Sequence, residues 1–300
     1  MIIMKLQGGL GNQLFQYAMG RSLSLKKNTL MKIDAISGFK NDIYGRTYSL
    51  GHFNIIEDFA QEDEISNINK TGFYKYIDKI LNITKLYYKR SIIIEPEKHH
   101  FTYDKNLLLT EDNIYLNGYW QNENYFVDIA DTIRKEFTLR STPDPINQRI
   151  AQEIINENSV SLHLRRLHGI SADRKTVVKE AVKLHGACSL EYYYAAIKEL
   201  AGVIKNPHFF IFSDDHNWAQ KHIKIDYPVT FIIHNDASNA YKDLWLMTLC
   251  KHYIIANSSF SWWGAWLSNN SNKIVFAPKR WDILDKPCIE DITPPSWHRI

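Results

Sequence analysis

The chain has 300 residues, 45% of them hydrophobic and 13% aromatic, which suits two ordinary domains or one large one with real cores. Its formal net charge of +3 gives no case for nucleic acid as a partner, although mild basicity suits a phosphorylated ligand or an anionic membrane face. Cys188, Cys250 and Cys288 form an odd, sparse set without metal-like spacing, which argues against a disulfide framework and for a reducing compartment.

Ile2 to Leu6 reads as a buried strand, too short an apolar run for a signal peptide. Gly8, Gly9 and Gly11 make a turn. Asn12 to Lys26 then reads as a helix, with Leu14, Phe15, Ala18, Met19, Leu23 and Leu25 mostly on one face. Thr29 to Ile33 reads as a second strand, ending at Asp34, and this opening is that of a parallel α/β domain. Ile77 to Ile94 is apolar with interspersed Lys79, Lys85, Lys89 and Arg90. It reads as a helix packed on a core, with a surface helix on anionic lipid as the alternative. Ile114 to Asn117 is a strand, followed by Gly118-Tyr119-Trp120-Gln121 and a helix from about Glu123 to Phe137.

Ser141 to Pro145 carries two prolines and suits a linker, so domains of 1–145 and 146–300 are expected. Beyond it, Ile146 to Glu157 and Leu190 to Leu200 read as helices. Val160 to Leu164, His208 to Phe212 and Val229 to Ile233 read as strands. Tyr241 to Cys250 is a helix, Tyr253 to Ala256 a strand, and Lys273 to Ala277 a final strand. No run approaches the length of a membrane span.

Three strands of the second half end in ligand-type residues: His163-Leu164-Arg165-Arg166, Ser213-Asp214-Asp215 and Asn257-Ser258-Ser259-Phe260. In a parallel sheet all three lie on one edge, where such sheets bind ligands. Forked guanidiniums fit a pyrophosphate, and hydroxyls at a helix amino end favour an anion. Each has a structural alternative. Arg165 or Arg166 can sit in an ion pair. Asp214 or Asp215 can cap a helix, as can the serines. Trp262, Trp263 and Trp266 read as core. Trp120 and Gln121 can offer a stacking face and an amide to a sugar, or serve packing and capping. The glycine turn with Asp34 partly matches a dinucleotide fingerprint, but Leu14 replaces the third glycine, and Asn12 and Gln13 put polar bulk where phosphate would approach.

Gly8-Gly9-Leu10-Gly11-Asn12-Gln13-Leu14-Phe15-Gln16-Tyr17-Ala18 resembles the opening of the bacterial α-1,2-fucosyltransferases. So do Gly118-Tyr119-Trp120-Gln121, Phe212-Ser213-Asp214-Asp215, His185-Gly186 before Cys188-Ser189, and the run from Ile255 to Trp266. The resemblance implies an α/β, GT-B fold: two Rossmann-type domains facing across a cleft, the first on the acceptor side and the second binding GDP-fucose. It also implies an inverting reaction with neither metal nor cofactor, GDP-fucose being a donor substrate. By position, His163 with Asp214 or Asp215 would meet the nucleoside. Arg165 with Ser258, Ser259 and Phe260 would meet the pyrophosphate, with Arg166 there or tying the loop. Asn12, Gln13, Trp120 and Gln121 would face a galactose-containing oligosaccharide or lipid-linked glycan, Asn12 holding the attacking hydroxyl. The family reads His-x-Arg-Arg-Gly-Asp-Tyr where this chain continues Leu167-His168-Gly169, so the missing aspartate is replaced as general base by His168, by Asp173 through a shifted loop, or by nothing. The expected place is the cytoplasm, with room for peripheral contact with the inner membrane. An inactive GDP-sugar-binding homologue, a fucosyltransferase of other linkage and an NAD-dependent oxidoreductase are the alternatives.

Overall fold

The computed structural model describes residues 1–69, 87–96, 101–166, 186–281 and 292–300. The chain divides into two compact units, Met1–Phe137 with Glu290–Ile292 and Thr138–Ile289 with Thr293–Ile300. Each is built on a parallel sheet.

In the first unit, β1 (Ile2–Lys5), α1 (Leu10–Lys26), β2 (Met31–Asp34), α2 (Glu62–Asn69), β3 (Ile92–Ile94), β4 (Ile114–Asn117) and α3 (Ala130–Glu136) follow in order. The sheet runs β2-β1-β4-β3. β1 is central, and its Ile2, Ile3 and Met4 are wholly buried, as a strand covered on both faces requires. α1 is buried on nearly every side, so its polar residues need internal partners. Tyr17 donates to Glu136 at 2.7 Å, and Arg21 donates to the same carboxylate at 2.9 Å, fixing the end of α3 to α1.

Several boundaries differ from the sequence reading. α1 starts at Leu10, because Gly9 is its extended N-cap. The second strand is shifted to Met31–Asp34. Within 77–94, residues 77–86 lie outside the described residues, and Ile92–Ile94 is a strand rather than helix. Three β-branched residues in a row favour the pleated edge position they take beside β4. The segment from Glu123 opens as two 3-10 turns, Glu123–Tyr125 and Val127–Ile129, the first capped by Asn122, before α3 begins.

The second unit contains α4 (Pro145–Asn156), β5 (Asn158–Leu164), α5 (Leu190–Val203), β6 (Pro207–Ser213), α6 (His216–His222), β7 (Val229–Ile232), α7 (Ala240–Leu249), β8 (His252–Ile254), α8 (Ser259–Leu267), β9 (Val275–Ala277) and β10 (His298–Arg299). Its sheet order is β10-β9-β8-β5-β6-β7, the doubly wound order of Rossmann sheets. Lys273–Ala277 is thus not the last strand. The two exposed residues of β10, with no apolar pattern to mark them, pair beside β9. The 141–145 segment goes with this unit. Asp144 caps α4, accepting from the amides of Ile146 and Asn147, and also accepts from Lys242 of α7.

β5 alternates between two covered faces. Val160, Leu162 and Leu164 join Tyr193, Ile197 and Leu200 of α5 and Phe209 and Ile211 of β6 in one core. Ser159, Ser161 and His163 are buried on the other face. Trp262, Trp263 and Trp266 of α8 pack on one another with ring centroids 5.1–6.0 Å apart, and Trp297 lies against Trp262. α8 reaches α7 through Gly264, where a Cβ would stand 2.9 Å from Met247 Cβ. Gly264→Ala should therefore cost about 1–3 kcal/mol by overpacking, outweighing alanine's better helix propensity. Denaturant unfolding measures this, and an unchanged midpoint would contradict the packing account.

Candidate active site

β8, β5 and β6 are adjacent and parallel, so their carboxyl ends share one edge. β5 leads on to β6 on one side, whereas β8 leads to β9 on the other. The crevice between β5 and β8 is therefore the topological switch point, where doubly wound sheets take ligands.

His163 ends the inner face of β5 with 5% exposure, its ring centroid 5.7 Å from that of Phe260 at the start of α8. Burial pushes its pKa down to about 4, against the pull of Asp214 and with the help of Arg165. The imidazole is thus uncharged at neutral pH, and its Nδ1 is buried without a hydrogen-bond partner among the described residues. Arg165 donates from Nη1 to Asp214 Oδ2 at 2.6 Å, and the other oxygen of Asp214 accepts the backbone N–H of Arg166 at 2.7 Å. Of the two readings left open, Arg165 takes the ion pair here, and Asp214 is its partner and the clasp of the β5 exit. The Arg166 guanidinium lies 4.1 Å over the Trp218 ring, and its Nε too is buried without a partner among the described residues.

Asp215 is the N-cap of α6, accepting from Trp218 N at 3.0 Å. Ser213 donates from Oγ to Leu164 O at 3.0 Å and so ties the ends of β6 and β5 together. Ser258 caps α8 by accepting the Phe260 N–H at 3.3 Å, and Ser259 opens the helix. The capping alternatives hold for Asp215 and Ser258, whose caps fix the orientation of the two helix amino ends at this edge. His168, Asp173 and His185 lie outside the described residues. Chemically the edge combines two guanidiniums, an uncharged imidazole and a capped helix amino end, a set that can hold an anionic group and stabilise charge growing on it.

In the first unit, the loop after β1 and the loop after β4 are neighbours because their strands pair. Gln16 accepts from Gln7 N at 3.0 Å and donates to Gly118 O at 2.9 Å, bonding the loops to each other. Gln121 donates from Nε2 to Asn12 Oδ1 at 2.8 Å. Two expected acceptor contacts are corrected. Gln13 is wholly buried and its amide is spent internally: it donates to Gly8 O and Thr47 O and accepts from Ser49 N. Trp120 is 1% exposed, its ring turned into the core against Tyr125, so it has no face for a sugar. Its backbone lies in the left-handed region at φ +54°, which the sequence does not announce. The dinucleotide alternative also loses its parts. Asn12 fills the space against Gly8, where a Cβ would meet Asn12 Nδ2 at 2.7 Å. Asp34 is occupied by the amides of Ile36 and Ser37 and by the Tyr115 hydroxyl.

Sequence reasoning passed over Glu95 and Trp218. Glu95 follows β3, and its carboxylate accepts the backbone N–H groups of Tyr119 at 2.6 Å and Trp120 at 3.1 Å. Its only sequence signal is an acidic residue directly after three isoleucines.

The two parallel α/β units are those of a GT-B-type glycosyltransferase. The NodZ α-1,6-fucosyltransferase co-crystallised with GDP has this fold, with a TM-score of 0.50 and 14% identity over 88% of this chain and 91% of that one. The family model described as glycosyl transferase family 11 matches residues 1–300, and the chain belongs to that family. It is 33% identical over 308 residues to an α-1,2-colitosyltransferase of Escherichia coli, covering 100% of this chain and 98% of that protein. It is 32% identical over 292 residues to the O-antigen biosynthesis glycosyltransferase WbnK of Escherichia coli, covering 92% and 93%.

The buried imidazole makes stability depend on pH. An unfolded histidine titrates near 6.5 and His163 near 4. Between those values the unfolded state binds the extra proton, so stability falls as pH drops through that window, by roughly 3 kcal/mol in all. In His163→Gln this part of the slope should vanish. Denaturant unfolding from pH 7.5 to 4.5 measures it, and parallel profiles for the two proteins would refute the assignment.

Proposed function

We propose that the chain transfers fucose from GDP-fucose to the 2-hydroxyl of a galactose-containing glycan acceptor, with inversion, in the cytoplasmic assembly of an O-antigen-type polysaccharide. Family membership supports sugar transfer. The observation that carries the donor side is the Arg165–Asp214 pair at the switch point, beside Arg166 Nε and His163 Nδ1, which have no hydrogen-bond partner among the described residues. Buried polar atoms without a partner among the described residues leave a hydrogen-bonding requirement at this sheet edge that a nucleoside diphosphate can meet. A second reading has direct support: the α-1,2-colitosyltransferase relative favours colitose, which lacks fucose's 3-hydroxyl, as the sugar transferred.

On this reading the anomeric carbon passes through an oxocarbenium-like state as GDP leaves from one face. Arg165 meets the charge growing on the β-phosphate, exchanging part of its contact with Asp214 for the leaving group. Arg166, held flat on Trp218, supplies the second guanidinium, and Ser258 and Ser259 present the α8 amino end. His163 is neutral and serves as a hydrogen-bonding group, with Asp214 and Asp215 shaping the nucleoside side through Arg165 and α6. Asn12, whose Oδ1 accepts from Gln121, meets an acceptor hydroxyl through its uncharged amide. It can hold the oxygen but cannot take its proton. That task falls to His168, or to Asp173.

Phosphate charge is met by guanidiniums in this scheme, so transfer from GDP-fucose to a panel of galactosides should proceed in EDTA and yield the 1,2-linked product. Parallel assays with GDP-colitose separate the two donors. Arg165→Lys keeps the charge but loses the fork, and should lower turnover about 100-fold. Near-normal rates in both Arg165→Lys and Arg165→Ala would sink the leaving-group role.

A positioned base contributes about a hundredfold or more. His168→Ala should therefore reduce turnover by about that factor, leave GDP affinity unchanged and remove one ionisation from the acidic limb of the rate profile. Unchanged turnover there with a large loss in Asp173→Ala would move the role to Asp173.

A further inference from the structure

Glu95 is 9% exposed, and burial pushes its carboxyl up to about 7, opposed by the amides of Tyr119 and Trp120. A buried carboxylate is costly, and folds keep one where its two acceptor oxygens are needed together. Here they grip two successive backbone N–H groups at 2.6 and 3.1 Å. Two further costs fall on the same turn. Trp120 is held at φ +54°, and its Nε1 is buried without a partner among the described residues. Gly118 approaches so closely that a Cβ there would stand 2.3 Å from Glu95 Cβ. A left-handed Trp120, a buried indole N–H without a partner among the described residues and a buried carboxyl gripping the turn mark a conformation imposed for what it presents. What it presents is Gln121, aimed at Asn12 Oδ1.

We propose that Glu95 is a positioning residue for sugar transfer. Through the Tyr119 and Trp120 amides it fixes the Gly118–Gln121 turn, and through Gln121 it fixes the orientation of the Asn12 amide toward the acceptor hydroxyl. The bond between Gln121 and Asn12 Oδ1 holds the plane of the Asn12 amide in one orientation. The chain of contacts runs from β3 through the loop after β4 to the first turn of α1, all within the first unit. This inference rests on the reading that Asn12 meets the acceptor.

Glu95→Gln keeps the shape but replaces one acceptor oxygen with a donor that opposes a backbone N–H. The expected result is a rise in acceptor KM of about tenfold, with donor KM and GDP affinity unchanged, and loss of hydrogen-exchange protection at the Tyr119 and Trp120 amides. Glu95→Asp, which keeps both oxygens, should recover part of the acceptor KM, whereas a merely structural role would predict equal losses for donor and acceptor. If Glu95→Gln does not fold, Gln121→Ala cuts the far end of the same chain of contacts and should raise acceptor KM alike. Unchanged acceptor kinetics in Glu95→Gln with its amides exposed would overturn the inference, as would equal donor and acceptor losses. A wild-type protein that transfers no sugar would overturn the proposed function instead, and amide exchange would still decide whether Glu95 holds the turn.

Discussion

The parallel pairing of β5 with β6 on one side and β8 on the other is the constraint on which the second unit's site depends. Parallel strands deliver their carboxyl ends to one edge, so residues far apart in sequence meet there without any long loop to bring them together. The register is close: Leu164 stands beside Ser213, and Leu162 beside Ile254. Given that register, Asp214 falls within reach of Arg165, and Ser213 of the Leu164 carbonyl. Because β5 is covered on both faces, its polar terminus cannot be an ordinary solvated loop. His163 sits where the core ends, and the arginines begin where water becomes available.

The first unit repeats this logic with different chemistry. β1 and β4 pair, and the loops that follow them are stitched by side-chain amides rather than by ion pairs. Gln13 and Gln16 bond to loops, Gln121 bonds from its loop to Asn12 of α1, and Glu95 grips the turn through its carboxyl. Amides both donate and accept, so they can lock a loop without placing net charge beside it. The second unit's edge is held by an ion pair, the first unit's loops mostly by amides.

Much of this was legible in the chain. The glycine turn, the apolar run into His163 and the serine cap before the tryptophans mark β1, β5 and α8 through apolar periodicity and capping chemistry, which are local signals. What was not legible is pairwise. Nothing in the order of residues says that Arg165 will choose Asp214, because the choice is made by strand register. Trp120 read equally as a sugar platform or as core, and the left-handed backbone it takes in the core is one that a tryptophan seldom adopts. Gln13 read as a ligand residue because its three partners lie in segments that say nothing about it. β3 and β10 are too short to show a period, and β10 has no buried residue at all.

The contact between Gly118 and Glu95 has a consequence for how this protein can change. A side chain at position 118 has no room while position 95 carries one, and position 95 must carry one to hold the turn. Neither site can vary alone: a larger residue at 118 needs a vacated 95, and a vacated 95 releases Trp120 and Gln121. Single substitutions on either side lead downhill, and only a paired replacement that rebuilds the turn by other means crosses between solutions. The two positions therefore form an epistatic lock.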